Sequence, residues 1–176
     1  KCLKKLGIKI KLFNNFCEIT GNGLNGFNYK RNITLNAGNS GTLSRLIMGL
    51  LVHSKNPVKI IGDKSLSKRD FVRVTTPLRL FGANFKTNSG KLPITITGTD
   101  CSKPIKYLEN RGSAQCKSTV MLAALNTKGE TLIKAKKSRN HTELMFKYLK
   151  IPIIIKKNKK KFDQIKIHGV KKDSPL

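Results

Sequence analysis

Carboxylates are scarce in this sequence: 9 Asp and Glu stand against 36 Lys and Arg in 176 residues, a formal net charge of +27. Paired-carboxylate acid–base chemistry therefore has little to draw on, and only Asp63, Asp70 and Glu143 fall near segments of chemical interest. Tryptophan is absent, and the 3 Tyr and 8 Phe sit mostly at core-like positions, so the aromatic platforms on which single-stranded nucleic acids stack are missing. The longest apolar run, residues 46–52, is far short of the roughly 20 residues a membrane span needs. No charged-then-apolar leader opens the chain. The four cysteines (Cys2, Cys17, Cys101, Cys116) and three histidines (His53, His141, His168) make no metal-ligand spacing, and reduced cytosolic thiols are expected. These absences predict a soluble, cytoplasmic protein without a metal.

What is present suffices for a core: 38% hydrophobic residues with 14 Gly and 6 Pro, in a length that suits one large or two small domains. The chain starts on Lys1 and stops at a turn-like Ser174-Pro175-Leu176, as a piece of a longer polypeptide would. The excess positive charge makes a basic nucleic-acid-binding domain one reading to weigh. Against it, the arginines are few (Arg31, Arg45, Arg69, Arg73, Arg79, Arg111, Arg139) and the lysines are dispersed, as on a solvated surface. The one dense block, Lys156-Lys157-Asn158-Lys159-Lys160-Lys161, falls between two alternating runs, where a turn would leave it in water.

Three segments repeat one pattern. Leu6-Gly7-Ile8-Lys9-Ile10 leads to Cys17-Glu18-Ile19-Thr20-Gly21, Phe81-Gly82-Ala83-Asn84-Phe85 to Ile94-Thr95-Ile96-Thr97-Gly98, and Leu149-Lys150-Ile151-Pro152-Ile153 to Ile165-Lys166-Ile167-His168-Gly169. Each alternates with period two around a polar turn, which predicts a β-hairpin. The closing glycines recur about 75 residues apart, the signature of an internal repeat. Residues 1–21 then form the end of one repeat, 22–98 a second and 99–169 a third. Between the hairpins the sequence predicts two helices per repeat, each behind a small polar residue: 43–52 after Ser40, 69–81 after Ser67, 118–125 after Ser113, and 141–149 after Ser138. Phe71, Val74, Leu78 and Phe81 share one helical face, and Leu144, Tyr148 and Leu149 another. Strand, helix, strand, helix, hairpin describes an α/β fold with parallel strands joined by crossover helices.

The helix starts carry the chemistry. A helix N-terminus offers unpaired N–H groups and the positive end of the dipole, so Asn39-Ser40-Gly41-Thr42 suits a phosphate or carboxylate, with Gly41 permitting close approach. Arg45 lies one turn in, Lys68-Arg69 stand at the second start, Ser113-Ala114-Gln115 with Lys117 at the third, and Ser138-Arg139 at the fourth. Helices packed side by side with their N-termini on one face would converge these groups on a shared anionic site. A substrate with one or two phosphates fits, whereas an acid–base mechanism complete within the chain does not.

In four ordered motifs the chain resembles the 5-enolpyruvylshikimate-3-phosphate synthase family: Leu35 to Arg45 around Asn39-Ser40-Gly41-Thr42, Gly62-Asp63-Lys64-Ser65-Leu66-Ser67-Lys68-Arg69, Gly112-Ser113-Ala114-Gln115-Cys116-Lys117-Ser118, and Ser138-Arg139-Asn140-His141-Thr142-Glu143. The resemblance implies transfer of the enolpyruvyl group of phosphoenolpyruvate to shikimate 3-phosphate with release of phosphate, in aromatic amino-acid biosynthesis, by a monomer without metal or cofactor. It implies the pseudo-symmetric βαβαββ repeats of the enolpyruvyl transferase fold, an inside-out α/β barrel, with three such units in each of two domains that close on the substrates. Carried over, Gly41, Arg69 and Gln115 would contact phosphoenolpyruvate. Ser113, Ala114, Gln115 and Arg139 would contact shikimate 3-phosphate, while Asn39, Thr42 and Arg45 would shape the site. No catalytic residue of the family falls inside the 176 residues, so the segment alone is expected to be inactive. UDP-N-acetylglucosamine enolpyruvyl transferase, with the same donor, is the alternative inside the fold, and its motifs fit less well. Asp70 and Asn140 depart from the family's usual Pro and Asp. With Gly rather than Ala at position 41, the full-length protein carrying this segment is expected to be more sensitive to glyphosate than its Gly41→Ala variant; equal inhibition curves would refute this.

Overall fold

The computed structural model describes residues 1–24, 26–158 and 161–169. The chain opens with α1 (Cys2–Lys5) and the hairpin β1 (Lys9–Leu12) and β2 (Cys17–Thr20). Next come β3 (Ile33–Asn36), α2 (Gly41–Leu50) with a 3-10 turn (Leu51–His53), β4 (Val58–Ile61), α3 (Lys64–Ser67), α4 (Val72–Leu80), β5 (Asn84–Asn88) and β6 (Lys91–Thr97). The series then runs again through β7 (Lys106–Glu109), α5 (Ala114–Ala124), β8 (Glu130–Lys136), α6 (His141–Tyr148), β9 (Ile153–Lys156) and β10 (Phe162–His168).

The two four-stranded sheets have the same order and sense, β3-β4-β6-β5 and β7-β8-β10-β9. In each the first two strands are parallel and the hairpin returns antiparallel to the second. Period-two alternation accounts for the one buried face: Leu92, Ile94 and Ile96 point inward from β6, as Ile165 and Ile167 do from β10. All three hairpins form where the sequence predicts them. The β1–β2 hairpin pairs only with itself among the described strands, and Leu12, Phe16 and Ile19 are exposed on it.

Between the sheets lies α5, buried around nearly its whole circumference, as befits a helix whose neighbours cover every side. Its partner is α2. A Cβ on Gly49 would lie 2.4 Å from the Thr119 carbonyl oxygen, so the two backbones touch there. Along the seam Gln115, Thr119 and Ala123, four residues apart on α5, meet Arg45, Gly49 and the 3-10 turn. Thr119 Oγ1 donates to the Arg45 carbonyl (3.2 Å), and His53 Nε2 meets the Ala123 carbonyl (3.0 Å). Burial pushes the His53 pKa down, partly opposed by that hydrogen bond.

Two expectations change. Ser67 does not open the second helix: it closes the one-turn α3, whose N-cap is Asp63, and α4 begins only at Val72. The cause is local, since Asp63 accepts from Leu66 N (2.7 Å) and Asp70 accepts from Val72 N (2.7 Å), which divides the stretch into two helical starts. On α6 the face of Leu144, Tyr148 and Leu149 is exposed, and Glu143 and Phe146 point inward instead. Of the lysine block, Lys156, Lys157, Asn158 and Lys161 are exposed, and Lys159 and Lys160 lie outside the described residues, as do Ser174, Pro175 and Leu176. No helix among the described residues is long and apolar enough to cross a membrane.

The helix contact predicts an outcome. Gly49→Ala in the full-length protein carrying this segment should lower unfolding stability by about 1–3 kcal/mol by overpacking against the Thr119 backbone. Urea denaturation checks this, and an unchanged midpoint would contradict the close approach.

A candidate anion site at paired helix N-termini

Parallel strands β3, β4, β7 and β8 all end on the side where α2, α3, α5 and α6 begin, the edge at which open α/β sheets present ligand-binding groups. Ser40 caps α2, its hydroxyl accepting from Leu43 N (3.1 Å), and Ser113 caps α5, accepting from Cys116 N (3.2 Å). In both cases the oxygen serves the helix and the hydroxyl hydrogen remains a donor. Each helix end adds about half a positive elementary charge.

Gln115 joins the two helices. Its Oε1 accepts from Arg45 Nη1 (3.0 Å) and its Nε2 donates to Thr42 Oγ1 (2.8 Å). Because Arg45 offers only donors, the amide orientation is set, and the second Nε2 hydrogen is left for another acceptor. Arg45 is itself confined: it donates to the Gly41 carbonyl (3.2 Å) and its guanidinium lies 5.0 Å from the centre of the Phe71 ring. Burial, and secondarily the charges of Arg73 and Arg69, push its pKa below the usual guanidinium value, although an arginine stays charged at neutral pH.

Gly41 sits under two guanidinium groups. A Cβ there would lie 2.6 Å from Arg45 Nη1 and 3.1 Å from Arg69 Nη1. Arg69 is exposed and held from one side, donating through Nη2 to Asn39 Oδ1 (3.2 Å), while Asn39 Nδ2 donates to Asp63 Oδ2 (2.6 Å). The Asp63 carboxyl stays below the ordinary carboxylate range, chiefly because Leu66 N donates to it and then because Asn39 does. Asn39, Gly41, Thr42, Arg45, Arg69 and Gln115 are thus brought together by direct contact. The Asp70 carboxylate accepts from Val72 N at the start of α4 (2.7 Å), and its charge still reaches Arg45, partly opposing the lowering of that group's pKa.

Ser113 and Ala114 precede Gln115 on the same helix start, and a residue of no sequence motif holds the loop that leads into it. The Glu109 carboxylate, 4% exposed, accepts from the backbone N–H groups of Arg111 (3.2 Å), Gly112 (2.7 Å) and Ser113 (2.9 Å). Arg139 is exposed in the loop after β8. Lys117 does not join the anion site: it is 3% exposed and ion-paired with Glu143 (2.5 Å). Ser138, named with Arg139 at the fourth helix start but given no ligand, has its hydroxyl buried and without a hydrogen-bond partner among the described residues. No His, Cys, Asp and Glu cluster suited to a metal ion occurs among the described residues.

The family model for EPSP synthase (3-phosphoshikimate 1-carboxyvinyltransferase) matches residues 1–176. The 3-phosphoshikimate 1-carboxyvinyltransferase of Ruthia magnifica is 44% identical over 161 residues, covering 90% of this chain and 37% of that protein. The protein of the same name from Streptococcus mutans is 42% identical over 150 residues, covering 84% and 35%. A solved structure of EPSP synthase from Acinetobacter baumannii matches with a TM-score of 0.85 at 35% identity, covering 96% of this chain and 37% of that one. The chain therefore spans a little over a third of the length of these relatives.

Removing the Glu109 carboxylate would strand three backbone donors. Glu109→Ala in the full-length protein should cost about 2–3 kcal/mol of stability, and Glu109→Gln, which keeps an acceptor oxygen, less. Midpoints unchanged from the parent in urea denaturation of both variants would show that the loop does not depend on the carboxylate.

Proposed function

The chain belongs to the EPSP synthase family, with that family's α/β enolpyruvyl transferase fold, and from this premise we propose that it is part of a 3-phosphoshikimate 1-carboxyvinyltransferase. The reaction moves the enolpyruvyl group of phosphoenolpyruvate onto shikimate 3-phosphate and releases phosphate, a step of aromatic amino-acid biosynthesis. The observation that carries this reading is the Gln115 junction. Two capped helix N-termini from two different sheets meet at one amide, which has one N–H left to give. Two anionic substrates that must react with each other need adjacent cationic seats, and this geometry supplies them.

On the α2 side Gly41 and Arg69 receive phosphoenolpyruvate, with Asn39, Thr42 and Arg45 shaping the seat. On the α5 side Ser113, Ala114 and Arg139 receive shikimate 3-phosphate, and the open Ser138 hydroxyl gains a partner there. Gln115 touches both. Proton transfer falls to groups beyond this segment: Asp63, Asp70, Glu109 and Glu143 are all engaged in structural contacts and none faces the junction free. Residues 1–21, 22–98 and 99–169 belong to three successive βαβαββ repeats of one domain of a monomeric cytoplasmic enzyme.

The test is phosphate release from phosphoenolpyruvate by the full-length protein carrying this segment, with and without shikimate 3-phosphate. Release should require shikimate 3-phosphate. Gln115→Ala should raise the KM of both substrates about tenfold, equivalent to the loss of one charge-assisted hydrogen bond to each, and the 176-residue chain alone should not exceed the enzyme-free control. Release indifferent to shikimate 3-phosphate would overturn the assignment.

A further inference from the structure

Lys117 and Glu143 are the most deeply buried ion pair among the described residues, at 4% and 7% side-chain exposure, and they join the first turn of α5 to the first turn of α6. The ammonium group does more than neutralise Glu143. Its Nζ also donates to the backbone carbonyl of Arg139 (3.0 Å), and one residue further on Ser118 and Thr142 share a hydrogen bond between hydroxyls (2.7 Å). Two consecutive residues of α5 thereby hold positions 139, 142 and 143.

A buried ion pair is a poor way to hold two helices together, because apolar side chains of similar volume do so as well or better without desolvating charge. The second carboxylate oxygen of Glu143 makes this pair costlier still, being buried without a hydrogen-bond partner. What an apolar pair cannot do is bind a carbonyl oxygen at a fixed point and direction. The carbonyl chosen belongs to Arg139, whose exposed side chain leaves the loop beside the buried, unpartnered Ser138 hydroxyl. Gln115 lies two residues before Lys117 on the same helix start, so the contact sets the Arg139 loop relative to the groups of α5.

We propose that Lys117, oriented by Glu143, is a positioning residue for shikimate 3-phosphate: it fixes the 138–139 backbone against the N-terminus of α5 so that Arg139 and Ser113 address one ligand. This rests on the assignment of Arg139 and Ser113 to that substrate. Lys117 touches no substrate and does not contribute its charge to the anion; Glu143 supplies the counter-charge that keeps the ammonium group buried and aimed.

The experiment is steady-state kinetics of the full-length protein with each substrate varied in turn, alongside thermal unfolding. Lys117→Met with Glu143→Gln removes both charges together, so that neither charge is left buried and unpaired. It should raise the KM of shikimate 3-phosphate about tenfold, with that of phosphoenolpyruvate and kcat changed less than about twofold. Glu143→Asp, which draws Nζ away from the Arg139 carbonyl while keeping the pair, should give the same selective rise in milder form and serves if the double variant does not fold. In an Arg139→Ala background neither change should raise that KM further, since the residue being positioned is gone. The inference is overturned if folded variants keep the parent KM, if both KM values rise together, or if the effects add to that of Arg139→Ala. Loss of the function assignment looks different: the parent itself would then show no turnover dependent on shikimate 3-phosphate.

Discussion

Helices α2 and α5 approach until backbone meets backbone at Gly49 and Thr119, and the arrangement of the candidate site follows from that contact. With no side chain at position 49, the helices run close enough for Thr119 to reach the Arg45 carbonyl and for Gln115 to reach both Arg45 and Thr42. A wider spacing would leave Gln115 facing water, with two separate helix ends in place of one junction. Because α5 is also enclosed by the strands and helices around it, small movements of one helix relative to the other are resisted by the whole core. The precision of the site is a property of the packing rather than of the loops that carry it.

The same contact sorts the charges. Most of the +27 is solvated lysine and acts only as a diffuse field that favours anions generally. Arg45 and Arg69 are different: one is buried and tied to Gln115 and the Gly41 carbonyl, the other exposed and restrained by Asn39. The carboxylates near the candidate site act as anchors, Asp63 on Asn39 and α3, Asp70 on α4, Glu109 on the loop before α5, Glu143 on Lys117.

Much of this was legible beforehand wherever the signal is local. The hairpins announce themselves by alternation, as in Ile94-Thr95-Ile96-Thr97, and α2 and α5 by Ser40 and Ser113, whose capping bonds span three residues. Reading failed where the signal is distant or ambiguous. Ser67 looks like a cap, yet Asp63 and Asp70 compete for the same stretch and break it into α3 and α4. Lys117 looks like a member of the anion site, but its partner Glu143 lies on another helix, and only the fold brings them to 2.5 Å. Glu109 carries no motif, since the groups it binds are backbone N–H groups that every residue but proline possesses.

By itself the sequence determined the α/β alternation, the three hairpins, the cap at each of the two principal helix starts and the inventory of cations and hydroxyls placed there, because each depends on residues within a turn or a strand of one another. Tertiary structure alone decided which of those groups face one another. Gln115 and Arg45 stand 70 positions apart in the chain, and their hydrogen bond exists only because α2, bare at Gly49, packs directly against the backbone of α5 at Thr119. Side-chain chemistry is written residue by residue, whereas the orientation of an amide, the burial of a charge and the sharing of a ligand are set by neighbours from another sheet, brought within hydrogen-bonding distance by the close packing of the core.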